Sequence, residues 1–200
     1  MKGTLLIVLV LILGSLTGYF YNDILNYDID TINQYILYVL LFAVGISIGS
    51  DREFFSKIKS LSPFYYLLPL ITITGTITGA YIISFFLSDV TAAESMAVGS
   101  GFGYYSLSSI IISQIKGAEL GVVALISNVI REVFVLICAP FLVKYFNRIT
   151  PICCAGATSM DSTLPIITKY SGNEYVIVAI MHGIIVDASV PFLVPFFCSI

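Results

Sequence analysis

The strongest constraint on this chain is a succession of apolar runs too long and too poor in charge for a water-soluble core. They cover Thr4–Phe20, Gln34–Gly49, Phe64–Leu87, Glu119–Val143 and Tyr175–Phe197. A helix of about 20 apolar residues crosses ~30 Å of hydrocarbon, so each run is a candidate span. Only 10% of the residues are charged and mean hydropathy is +1.00, where soluble domains carry about 25% charge. A 200-residue chain cannot fold that much apolar surface into its own interior. A soluble globular fold is excluded, and lipid is the solvent.

The spans order themselves by charge. Basic residues favour the cytoplasmic side, which puts Lys2 and the Arg52–Lys59 loop inside. The acidic stretches Asp23–Asp30 and Asp89–Glu94 then lie outside. The first run has the basic start and apolar core of a signal peptide. It lacks a small-x-small cleavage site, so a retained helix is expected. Three N-terminal spans therefore occupy 1–94. Cys138 and Cys198 lie in apolar runs, and Cys153 and Cys154 are adjacent, which is neither a disulfide framework nor metal-ligand spacing. No metal or other cofactor is expected. No basic patch points to nucleic acid, and no GxxxxGK[ST] stretch points to ATP.

The second half is broken by polar, glycine-rich segments. AGATSMDSTLP, Ala155–Pro165, sets Asp161 among Thr158, Ser159, Ser162 and Thr163, with long apolar runs on both sides. A carboxylate at membrane depth costs about 2.5–3.5 kcal/mol on insertion scales, which marks it as functional. GSGFGYYSLSS, Gly99–Ser109, precedes it in the same style. The two stretches repeat at an offset of 55 positions without a gap. Gly101 meets Gly156, Ile111–Ile112 meets Ile166–Ile167, and Pro140–Phe141 meets Pro195–Phe196. The same register pairs Glu132 with Asp187, Ser127 with His182 and Ser106 with Asp161.

Each unit, 95–148 and 149–200, reads as one interrupted hairpin followed by one span. If the hairpins turn back within the membrane, at Gly99–Ile115 from outside and Ala155–Thr168 from inside, the units are inverted. Lys144 and Arg148 then fall inside and the C-terminus outside. If the broken segments cross fully, those two residues fall outside. The expected fold is all-α and polytopic: about five spans plus two re-entrant, broken-helix hairpins in an inverted repeat. Inverted repeats with interrupted helices are a transporter pattern. Irregular backbone persists at that depth only inside protein or beside a water cavity.

The candidate substrate and proton residues follow. Asp161 leads, although it could instead cap a helix starting at Ser162 or Thr163. Glu132 and Arg131 lie mid-span, and Asn128 sits one turn before Glu132, within hydrogen-bonding reach. A structural lock between Arg131 and an acid is the rival reading there. Asp187, His182, Ser106, Ser159 and Thr163 complete the set, and a buried histidine can equally be a packing residue. Gly99, Gly101, Gly103 and Gly156 are the hairpin glycines. Free amides at the hairpin tips would take a carboxylate, and the acids a cation, which suits a small zwitterion.

SGFGYYSLSS, ALISNVIREV, KYF, GATSMDSTLPIITKYSG, the HG at His182–Gly183 and VGISIG at Val44–Gly49 together resemble the lysine exporter LysO family over nearly the whole chain. The resemblance implies an inner-membrane exporter of L-lysine and its toxic analogues, coupled to protons, in which Asp161 matters. Full-length members carry further membrane segments, with another intramembrane aspartate, ahead of the region matched. The resemblance therefore implies a separate small membrane subunit that supplies them. From the residues alone, a channel or holin-like pore, or a purely structural membrane subunit, stays open. An intramembrane enzyme finds no supporting motif.

Overall fold

The computed structural model describes residues 61–200, together with Tyr35, Val39, Phe42, Ile46, Ile58 and Lys59. The chain divides into two compact units, Met1–Ser50 and Asp51–Ile200. The expected first span lies outside the described residues. So does the expected second span, apart from four helical positions: Tyr35, Val39, Phe42 and Ile46. The rest of this account concerns the second unit.

Three helices in it are long and apolar enough to cross a membrane. The first, α1, is Pro63–Ser84, opened by Pro63 at its first turn, where a missing N–H costs nothing. The others are α4, Ala118–Tyr145, and α7, Val176–Ser199. A short 3-10 turn, Asn173–Tyr175, precedes α7. These are the third, fourth and fifth expected spans. Their outer faces carry large apolar side chains such as Phe64, Ile71, Ile126, Ile137 and Phe192, all more than half exposed. Lipid is the environment in which that arrangement is stable.

Between the spans lie two hairpins of short helices. Hairpin 1 is α2, Ala92–Gly99, a turn, and α3, Tyr105–Lys116. Hairpin 2 is α5, Thr150–Ala155, a 3-10 turn at Gly156–Met160, and α6, Leu164–Ser171. Both are longer than the sequence suggested, because each gains a half-helix before its glycines. The signals were present. Thr91 and Glu94 form a capping box that starts α2, with Thr91 N–H donating to the Glu94 carboxylate at 2.9 Å and Thr91 Oγ1 accepting from Glu94 N–H at 3.2 Å. Pro151 sits at the first turn of α5.

Each hairpin returns to the end from which it came. Glu94 at the start of α2 and Lys116 at the end of α3 are close enough to feel one another's charge. Both also act on Cys198 near the end of α7. Ser95 donates to the Ala80 carbonyl at 2.7 Å, so hairpin 1 opens toward the C-terminal ends of α1 and α7. Hairpin 2 opens the other way. Arg148 before α5 meets Glu174 after α6 at 3.0 Å. The Tyr65 and Tyr175 rings, near the starts of α1 and α7, stand edge to face at 6.4 Å.

Packing explains why the hairpins stay put. Leu68 of α1, Val135 of α4, Ile152 and Ala155 of α5, Ile167 of α6, and Val178 and Ala179 of α7 form one buried cluster around hairpin 2. On α4 the buried face runs Gly121, Ala124, Asn128, Val135, Ala139 and Leu142, a helical stripe turned toward the hairpins. Gly121 lets α3 lie against α4, since a Cβ there would fall 2.9 Å from the Ser109 carbonyl oxygen. Small residues bring membrane helices together in this way.

Candidate functional site

The two hairpin tips touch. Ala157 N–H donates to the Phe102 carbonyl at 2.9 Å. Gly156 makes this possible. Its φ of +66° ends α5 in a conformation that L-residues seldom hold, and a Cβ on it would lie 2.3 Å from the Phe102 oxygen. On the other tip, Gly103 has φ +96°, and a Cβ there would meet the Ala155 carbonyl oxygen and Thr158 Cγ2 at 3.1 Å. Phe102, fully buried, is itself forced to φ 46°. Left-handed backbone at a non-glycine residue carries strain of about 1–2 kcal/mol. Here the crossing imposes it.

One helix holds both tips. Asn128 of α4, buried, accepts from Gly103 N–H at 2.7 Å. Its amide group donates to the Val98 carbonyl of α2 at 3.4 Å and to Ala124 at 2.8 Å. One turn later, Arg131 Nε donates to the Cys154 carbonyl at 2.8 Å. Its terminal nitrogens donate to the Cys153 carbonyl at 3.2 Å and to Thr76 Oγ1 of α1 at 3.4 Å. The guanidinium carbon stands 6.0 Å from the centre of the Phe102 ring. The Asn128–Glu132 hydrogen bond considered from sequence does not form, because the Asn128 amide is taken by the tip backbone. Among the described residues no acid locks Arg131: its partners are the Cys153 and Cys154 carbonyls at the end of a half-helix and the Thr76 hydroxyl.

A second buried chain of hydrogen bonds ties tip 2 to α7 and α1. His182 is fully buried. One ring nitrogen lies 3.2 Å from Ser159 Oγ and the other 2.9 Å from Thr72 Oγ1. The single Ser159 hydroxyl proton is shared between the Ala179 carbonyl at 2.9 Å and the Gly156 carbonyl at 2.8 Å. Gly183 gives the 3-10 turn room, since a Cβ there would sit 2.7 Å from Met160 Cβ. Thr163, buried, donates to the Thr158 carbonyl at 2.9 Å. These side chains are occupied in building the tip.

The acids sort differently. Asp161 ends the 3-10 turn and is exposed. Among the described residues its carboxylate accepts from its neighbour Ser162 alone, through N–H and hydroxyl. It does not cap α6, whose N-cap is Thr163 without a side-chain bond. Asp187 of α7 is half-buried and near enough to Asp161 for the two charges to act on one another. Tyr104 feels both carboxylates. Asp161 of tip 2, Asp187 of α7 and Tyr104 of tip 1 thus lie within electrostatic reach of one another. Glu132, half-buried on the flank of α4, makes no hydrogen bond or ion pair among the described residues. Ser106 is exposed on the first turn of α3, where its carbonyl accepts from the Ser109 hydroxyl at 3.4 Å.

One expectation shifts. The tips do not offer a set of free amides, because those of Gly101, Phe102, Gly103, Tyr104, Ala157, Asp161 and Thr163 are all engaged. The threonines of α1 include two working partners, Thr72 and Thr76. Their i, i+4 spacing on one face was the available signal. Gly99 keeps a packing role, with a Cβ placed 2.9 Å from Ala80 Cβ. Gly101 lies against Asn128 Nδ2, at 2.5 Å from such a Cβ.

Comparison with known proteins agrees with a membrane transporter. Residues 8–198 match the family described as Lysine exporter LysO. The chain is 33% identical over 167 residues to the lysine exporter LysO of Escherichia coli (strain K12), a match that covers 84% of this chain and 55% of that protein. It is 32% identical over 188 residues to the putative lysine exporter of Haemophilus influenzae (strain ATCC 51907 / DSM 11121 / KW20 / Rd), covering 94% of each. The chain therefore spans about half the length of the Escherichia coli relative. No solved structure matches the chain.

Proposed function

Because the chain belongs to the lysine exporter LysO family, we propose that it is a secondary-transporter subunit that exports L-lysine and lysine analogues in exchange for protons. The observation that carries this reading is the Asp161–Asp187–Tyr104 grouping beside the crossed tips. Two neighbouring carboxylates repel and so take up positive charge between them, as a proton or as an ammonium group. One site that holds either but not both is the minimal requirement for exchange. The Tyr104 phenol lies within electrostatic reach of both carboxylates.

The oppositely directed hairpins support reading 95–148 and 149–200 as inverted repeats. In such a pair, access alternates as one unit rocks against the other. Lys144 and Arg148 at the mouth of hairpin 2 support a cytoplasmic placement for that mouth. The C-terminus then lies outside, in the cytoplasmic membrane. The buried Thr72–His182–Ser159 chain supports a positioning role for His182, since both its ring nitrogens are taken.

The test is lysine efflux from cells or vesicles carrying Asp161→Asn. Efflux is expected to fall by about 100-fold or more, the scale of a lost charge-assisted contact, with membrane insertion unchanged. Wild-type efflux by that variant would remove Asp161 from the pathway.

A further inference from the structure

Arg131 is a charge in the middle of a spanning helix, and among the described residues no carboxylate pairs with it. A guanidinium so placed must find its compensation elsewhere. It finds it at the end of α5. That half-helix stops where Gly156 turns to positive φ, which strands its last carbonyls without intrahelical partners. A helix C-terminus also carries roughly half a negative charge. In water, solvent would satisfy that end. At membrane depth a protein donor must do so, and Arg131 does it with a charged one, through two hydrogen bonds to the Cys153 and Cys154 carbonyls.

The contrast with hairpin 1 isolates the charge. There the end of α2 is met by a neutral amide, Asn128 on Val98. Arg131 in addition reaches the Phe102 ring of the opposite tip, so a single cation bears on both. Beside it lies an open cleft of about 280 Å³, lined by Ile71, Thr72, Gly75, Thr76, Arg131, Cys153 and Cys154.

We propose that Arg131 is a built-in cation, a positioning residue that locks hairpin 2 where an exchangeable monovalent ion would otherwise be needed, and not a ligand for substrate. The cleft is the way in for a small cation once the side chain is shortened. This goes beyond the transport reading, and its test does not depend on lysine.

The native thiols report on the lock. Cys153 and Cys154 are half-buried and their carbonyls hold the guanidinium. The full chain, with Cys138→Ser and Cys198→Ser to silence the other two, is placed in liposomes and treated with N-ethylmaleimide. Arg131→Ala should raise the labelling rate about tenfold, as local opening becomes easier. Guanidinium chloride at roughly tens of millimolar should restore slow labelling by mass action. Arg131→Met, which fills the space with an apolar chain, should label fast and resist rescue. Arg131→Lys retains a cation without the two-pronged geometry and should fall between, which keeps the test open if the alanine variant does not fold. Parent-like labelling of Arg131→Ala overturns the proposal. So does equal guanidinium rescue of the alanine and methionine variants, or a lysine variant that labels as fast as alanine. If labelling behaves as expected and the vesicles move no lysine, the lock stands and the transport assignment fails.

Discussion

The two hairpins have one architecture and different chemistry. Both are half-helix, turn and half-helix, both break at glycines with positive φ, and both are clamped by α4. Hairpin 1 is held by a neutral amide, Asn128, and its turn carries no acid. Hairpin 2 is held by a cation, Arg131, and pinned by the Ser159–His182–Thr72 chain. It also presents Asp161, whose carboxylate among the described residues is engaged by Ser162 alone. Scaffold and site are thus divided within one repeat pattern. The first tip braces, and the second carries Asp161, the acid for which the exchange role is proposed.

The comparison breaks first at the point of contact. Gly156→Ala places a methyl group against the Phe102 carbonyl and strains a φ of +66°. Several kcal/mol are expected, on the order of 3 or more, from combined overlap and strain. Thermal unfolding in detergent should show a large loss, and efflux should vanish. Gly75→Ala, where nothing lies within 4 Å, is the control, expected within about ±0.5 kcal/mol.

Asn128→Ala comes next. It leaves Gly103 N–H and the Val98 carbonyl without their partner, at about 1–3 kcal/mol for stranded buried groups. Unfolding should shift measurably, and guanidinium should not repair it, since no charge was lost. The smallest effect belongs to the mouth of hairpin 2. Arg148 and Glu174 are 58% and 60% exposed, so Glu174→Gln should change stability by only about 0–1 kcal/mol. A larger loss there would mean that the hairpin is held from its ends and not from its tip.

Sequence made the broad plan visible for a physical reason. Lipid demands long apolar helices, and positions 64–87, 119–143 and 175–197 could hardly be anything else. The 55-residue register likewise exposed both breaks, because glycine, serine and aspartate at that depth need a cause. Other features stayed hidden. Phe102 reads as one more apolar residue, yet its carbonyl joins the tips. Thr72 and Thr76 look like packing residues because α1 is rich in them. Asn128 and Glu132 share a helical face by spacing, and only the packed structure reveals that the asparagine turns to the Gly103 amide. Partners chosen across the fold leave no local pattern. Asp161 was legible for the opposite reason: an acid in that setting stands out from every neighbour.

The central claim is that lysine's ammonium group rests at the tip of hairpin 2 beside Asp161 and Asp187. Ser162, exposed next to Asp161, offers the most direct probe. In a chain whose native cysteines are replaced, Ser162→Cys is labelled with a water-soluble thiol reagent. Lysine should slow the reaction about tenfold near saturation, as occupancy dictates. Norleucine, the same length without the ε-ammonium, should leave it unchanged. A labelling rate indifferent to lysine, or slowed equally by norleucine, would contradict the account.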